Sequence, residues 1–237
     1  MSIDVVFVLE TGSGLVASVI ALLAIYRSLT IAKSLVTHVY RSRAYWLAVL
    51  MIIFAAFSLV PTNSAIESDI SDVLFFMFLF ALLLFIDSNV AVAREIDFFH
   101  KDVLHWHTAR RPLFAVIIAG TAIAVTSIIE PTLTASSSGV GIVVYFAILG
   151  VAFSYSGAVM LVIARTTYDR TMKNFVKMLG FAILSYVLFL TLFLPLDAVY
   201  PQLGDVVTSF IAIAAAYFFY RAAMSLSPVG RIMKEAA

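Results

Sequence analysis

The stretch Val73-Leu74-Phe75-Phe76-Met77-Phe78-Leu79-Phe80-Ala81-Leu82-Leu83-Leu84-Phe85-Ile86-Asp87-Ser88-Asn89-Val90-Ala91-Val92-Ala93 decides the fold. It carries a single charge, Asp87, in 21 residues. At about 1.5 Å of rise per helical residue it spans about 30 Å, the thickness of a bilayer's hydrocarbon core. In lipid a segment must satisfy its own backbone hydrogen bonds, which a helix does and a lone strand does not. The run is therefore expected to be a membrane-spanning helix.

Working outward, six more stretches have the same character: Val5–Tyr26, Ala44–Val60, Pro112–Ile129, Val140–Ala164, Met178–Leu196 and Val206–Tyr220. The breaks between them are polar or carry proline. Pro61-Thr62-Asn63-Ser64 follows the second, Glu130-Pro131 the fourth, and Leu194-Pro195-Leu196-Asp197 closes the sixth. Such residues collect at helix ends because they cannot continue a lipid-facing helix cheaply. Arg27 to Arg43 keeps a helical apolar periodicity, so the first helix is expected to continue past Tyr26. Asp97 to Arg111 mixes Phe98, Phe99 and Trp106 with charge, a pattern suited to a helix extension at the interface. The expected fold class is all-α: one polytopic domain over residues 1–237, a bundle of seven transmembrane helices.

Composition agrees. Hydrophobic residues make up 63% of the chain and charged residues 12%. A soluble domain has roughly 45–50% and about 25%. The absence of cysteine excludes disulfides, thiolate metal sites and thiol nucleophiles. Met1 to Glu10 carries Asp4 and no basic residue, so the first apolar segment is read as a retained span, not a cleaved signal.

Lys and Arg set the expected orientation, since cytoplasmic loops are enriched in them. All 15 fall on one side of the seven-span scheme. Arg27, Lys33, Arg41 and Arg43 follow the first span; Arg94, Lys101, Arg110 and Arg111 follow the third. Arg165, Arg170, Lys173 and Lys177 follow the fifth, and Arg221, Arg231 and Lys234 lie in the tail. The other side carries Asp4, Glu67, Asp69, Asp72, Glu130, Asp197 and Asp205. This places the N-terminus outside and the C-terminus in the cytoplasm of a multi-pass protein of the cell membrane.

Two ionisable groups fall inside spans, where a charge costs several kcal/mol and marks a candidate site. Glu10 lies near the outer end of the first, with Gly14, Ala17, Ser18 and Ala21 on its helical face. It is either a buried cation- or proton-binding carboxylate or a wetted interfacial one. Asp87 lies in the inner half of the third, as a proton donor or acceptor or paired with an inner arginine to fix helix packing. Gly14 and Ser18, and Gly150, Ser154 and Ala158 at four-residue spacing, are expected at helix contacts, because small residues let helices approach.

Other patterns carry less. His105 and His107, near Asp97 and Asp102, form a weak candidate metal pair whose spacing matches no tight ligand set. Ser154-Tyr155-Ser156-Gly157 has no histidine in any span to act as a base. Phe75, Phe76, Phe78 and Phe80 read as core or lipid-facing bulk. No phosphate loop or nucleic-acid signature is present.

Seven spans, an outside N-terminus, short outer turns and this length resemble a microbial rhodopsin. So does the run Leu82-Leu83-Leu84-Phe85-Ile86-Asp87, which is similar to the inner-half aspartate that proton-pumping members use as an internal donor. The resemblance implies a retinal-binding lysine midway along the seventh span. That stretch reads Ile211-Ala212-Ile213-Ala214-Ala215-Ala216, so covalent retinal is not expected, nor light-driven pumping. It implies instead a pocket filled by side chains or by a non-covalent ligand.

The functional expectation is a non-enzymatic sensor or receptor. It would bind a small apolar or amphipathic molecule, a lipid or a membrane partner, with a cytoplasmic protein partner at the basic inner face and no cofactor. The alternatives are a proton or cation transporter using Glu10 and Asp87, and an accessory subunit of a larger membrane complex.

Overall fold

The computed structural model describes the backbone of residues 5–35, 38–59, 65–95, 105–129, 139–199 and 201–227. Near several helix ends the side chains lie outside the described set; those of Glu10 and His107 are among them. Every described element is helical: α1 (Val5–Ser34), α2 (His38–Leu59), α3 (Ala65–Glu95), α4 (Trp106–Ile129), α5 (Gly139–Thr166), α6 (Arg170–Val199) and α7 (Pro201–Ser225).

Five of these seven hold a described stretch long and apolar enough to cross a membrane: Gly12–Ser34, His38–Leu59, Ile70–Ala91, Thr108–Thr126 and Ala147–Thr166. In α7 the corresponding apolar stretch, Phe210–Ser225, is shorter. Composition and helices together are those of a membrane-embedded helical protein.

The helices outrun the apolar stretches, because hydropathy marks where lipid sits and hydrogen bonding decides where a helix stops. α1 runs on to Ser34, and Arg41 at the start of α2 donates from Nε and Nη2 to the Leu35 carbonyl at 2.9 and 2.6 Å. The last carbonyls of a helix lack intrahelical donors, and a guanidinium supplies them. α6 begins at Arg170, eight residues before the apolar run. Asp169 caps it, accepting from the backbone N–H groups of Thr171 and Met172 at 3.1 Å each. α6 also passes through Pro195 to Val199, where a break was expected. A proline that close to a helix end removes one backbone bond and leaves the rest intact.

Each helix packs on its neighbours in chain order, and α7 returns to α1, closing a ring. The α4–α5 seam is the thinnest in that ring. The middle is filled by aromatic rings. Phe54 of α2, Phe78 of α3, Tyr186 of α6 and Phe219 of α7 are all buried. Phe78 lies 5.0 Å from Tyr186, 5.6 Å from Phe54 and 6.1 Å from Phe219, centroid to centroid. Tilted and edge-on pairs at these separations are favourable beyond their buried area. Phe75 and Phe76 are buried too, whereas Phe80 is on the outside, edge-on to Phe114.

Candidate functional site

Polar side chains gather at one end of the ring. There the ends of α1 and α3 meet the starts of α2, α4 and α6. Tyr40 of α2 donates its hydroxyl to Asp169 Oδ2. Arg43, only 3% exposed, crosses from α2 to α3 and donates to Ser88, with Nη2 at 2.9 Å from the Ser88 carbonyl.

Asp87 is the centre of the cluster. Arg110 of α4 places Nη1 at 2.7 Å from Oδ1 and 2.8 Å from Oδ2. The indole Nε1 of Trp106 donates to Oδ1 at 2.9 Å. Trp106 and Arg110 are one helical turn apart, so both face α3. The ion pair is part-open, with 33% of the Arg110 side chain and 28% of the Asp87 side chain exposed. Trp106 itself is fully buried, so the start of α4 is packed into the bundle; residues 97–104 of the expected interfacial stretch lie outside the described residues. His105, just before it, has φ 56°, in the left-handed region. Histidine is among the residues that tolerate this conformation. It turns the chain into α4.

Beyond Trp106 lies Tyr155 of α5. The two rings are parallel within 6°, with centroids 6.4 Å apart. Tyr155 also closes one end of a groove of about 570 Å³ along the thin α4–α5 seam. Leu113 and Val116 line one wall; Ile148, Val151 and Ala152 line the other. Its lip is open, with Val151 73% exposed. Pro112 also lines it. Within α4 it cannot donate to the Thr108 carbonyl, and its ring crowds that turn.

The other expected site residues fall elsewhere. Gly14 sits where α1 approaches α2: a Cβ there would stand 3.3 Å from the Ser58 carbonyl oxygen. Ser18 is buried. Gly150 faces α6, where a Cβ would come within 2.7 Å of Thr191 Cγ2. Ser154 is half-buried and donates to the Gly150 carbonyl at 2.8 Å. Ala158, expected on the same stripe, is exposed; within the bundle the contact falls to Gly157, which packs on Leu184. His105 is exposed, and no group of three or more metal-binding side chains occurs among the described residues. Glu10 lies outside the described side chains, as does His107.

Sequence reasoning did not single out Trp106, Arg110 or Arg43 as site residues; an inner arginine was expected as a partner for Asp87, but not which one. The available signal was the Trp106–Arg110 spacing, which puts an N–H donor and a cation on one helix face opposite a carboxylate that needs both.

The chain matches no known family model, and comparison with characterised proteins and with solved structures returned no match.

Proposed function

We propose that the chain is a seven-span protein of the cell membrane, N-terminus outside and C-terminus cytoplasmic, that acts without catalysis as a sensor or receptor. Its ligand is an apolar or amphipathic molecule taken sideways from the bilayer into the α4–α5 groove. The groove itself is the supporting observation: an apolar slot of about 570 Å³, open along one side and ending at Tyr155. Tyr155 stacks on Trp106, which holds Asp87, so an occupant at that end touches the chain of contacts that joins α3 to α4. At the level of Phe54, Phe78, Tyr186 and Phe219 the ring's centre is filled by side chains. The basic end of the bundle would then face a separate cytoplasmic signalling chain. Likeness to microbial rhodopsins stays one of topology, without the lysine.

Transport along Asp87 has less to stand on, because both of its carboxylate oxygens are already engaged. The test is thermal unfolding of purified protein with retinal, carotenoids, quinones and single-chain lipids. A ligand at 100 times its Kd stabilises by about 2.7 kcal/mol. One of these classes should raise the melting temperature, and Val151→Trp, which fills the groove from its exposed lip, should abolish the rise. No shift with any class, or the same shift in Val151→Trp, would sink the proposal.

A further inference from the structure

The groove has a chemistry at its basic end that its apolar walls do not explain. Arg110 spends only Nη1 on Asp87, at 2.7 Å from one carboxylate oxygen and 2.8 Å from the other. A guanidinium has five N–H donors in a planar fork. The edge made by Nε and Nη2 donates to nothing among the described residues, and a third of the side chain is open. That edge has the geometry for a second, bidentate oxyanion.

Its position relative to the groove gives it a use. Ala109, the residue before Arg110, is the groove's first lining residue on α4. Successive helical residues turn by about 100°, so Arg110 stands beside the groove's inner end, turned from Ala109 toward α3. The α4 lining then runs from Ala109 to Val116, about 10 Å along the helix away from the basic end. Arg111 is exposed at the same end. Among the described residues this end of α4 carries two arginines, Arg110 and Arg111, and only Arg110 is paired with Asp87. A slot of this polarity, basic at one end and apolar along its length, complements an anion with a long apolar tail.

We infer that the occupant is an anionic lipid, its headgroup phosphate on the Nε/Nη2 edge of Arg110 and one acyl chain in the α4–α5 groove. The inference rests on the groove being a ligand site. It also fixes a relation between headgroup and Asp87: the two share one guanidinium, so a tightly bound headgroup draws Arg110 away from α3. Occupancy is thereby coupled to the α3–α4 tie.

The test uses full-length protein in neutral detergent, in a Trp46→Phe background that leaves Trp106 as the sole tryptophan. Phosphatidylglycerol and phosphatidylcholine with identical brominated chains are added, and Trp106 quenching is read. Phosphatidylglycerol should quench at about tenfold lower concentration: both lipids carry the phosphate, but that of phosphatidylcholine is neutralised by its own choline cation, so only phosphatidylglycerol brings a net charge to the guanidinium. Arg110→Gln should remove that preference and leave phosphatidylcholine unchanged, while Arg110→Lys should keep part of it. Asp87→Asn frees the guanidinium and should increase the preference; this variant keeps an acceptor for Trp106 and so carries the test if Arg110→Gln does not fold. Inorganic phosphate alone should not displace the lipid. Equal quenching by both lipids, or a preference lowered by Asp87→Asn, overturns the headgroup assignment. Displacement by phosphate would overturn it in favour of a free-anion site. Val151→Phe, which fills the lip without adding a second indole, separates the two layers: if it weakens both lipids equally while their preference is nil, the groove stands and the headgroup fails. If it weakens neither, the groove itself fails.

Discussion

Asp87 shows what a single residue discloses before any packing is known. A carboxylate inside an apolar run demands a partner, and that demand was legible. The partner's identity was not. Arg94 is nearer in the chain, but seven residues along one helix is about 10 Å, too far for a direct pair. Arg110 reaches Asp87 only because α4 packs beside α3 and His105 turns the chain into α4 with Trp106 inward. Asp87→Ala leaves the Arg110 guanidinium and the Trp106 indole N–H without their acceptor. It should destabilise by about 2 kcal/mol, the usual cost of stranding buried or half-buried donors. Because the pair is part-exposed, the Asp87–Arg110 coupling itself should be no more than about 1 kcal/mol. A double-mutant cycle with Arg110→Ala, followed by unfolding in detergent, measures it. Strictly additive effects would mean that the pair does not hold α3 to α4.

At the scale of the element, drift around the helix decides which small residues of α5 meet α6 within the bundle. Gly150, Ser154 and Ala158 are four residues apart, and each step drifts about 40° around a 3.6-residue helix. Over two steps the stripe rotates off the contact, so Ala158 ends on the outside. Seven residues drift only about 20°. Gly157 therefore stays on the α6 face that Gly150 begins, and a Cβ there would stand 2.9 Å from both Cγ and Cδ2 of Leu184. Gly157→Ala should cost about 1–3 kcal/mol, since two tightly packed helices must part to admit a methyl group. Ala158→Leu, one residue on but exposed, should cost far less. Equal losses in thermal unfolding would show that Gly157 is not at a close contact. Helix ends were the other thing spacing could not locate. They depend on side-chain partners beyond the helix, the Arg41 guanidinium as donor for α1 and the Asp169 carboxylate as acceptor for α6.

For the whole molecule, the arrangement to be tested is sidedness. The cysteine-free chain is a ready background for it. Ser137→Cys, in the connection between the fourth and fifth spans, should react with a membrane-impermeant thiol reagent on intact cells. Tyr168→Cys, 89% exposed between α5 and α6, should react only after permeabilisation. Labelling of both from outside would refute the proposed seven-span topology. The ring has one weak seam, between α4 and α5, and the groove lies along it. The α1–α2 and α5–α6 contacts close in at glycines, and α2, α3, α6 and α7 meet around aromatic rings, whereas the groove opens on the flank.

What the sequence by itself determined is the material of the fold. Composition and the long apolar runs set helices suited to a membrane, and the placement of every Lys and Arg set an expected inside and outside. These follow from the transfer of each residue between water and lipid, a local property that needs no partner. The tertiary structure alone decided which arginine answers Asp87, which glycine meets its neighbour, and that an open groove lies between α4 and α5. Those outcomes depend on how the side-chain ridges of separate helices interlock, and that is set between helices, where no count along one chain can reach.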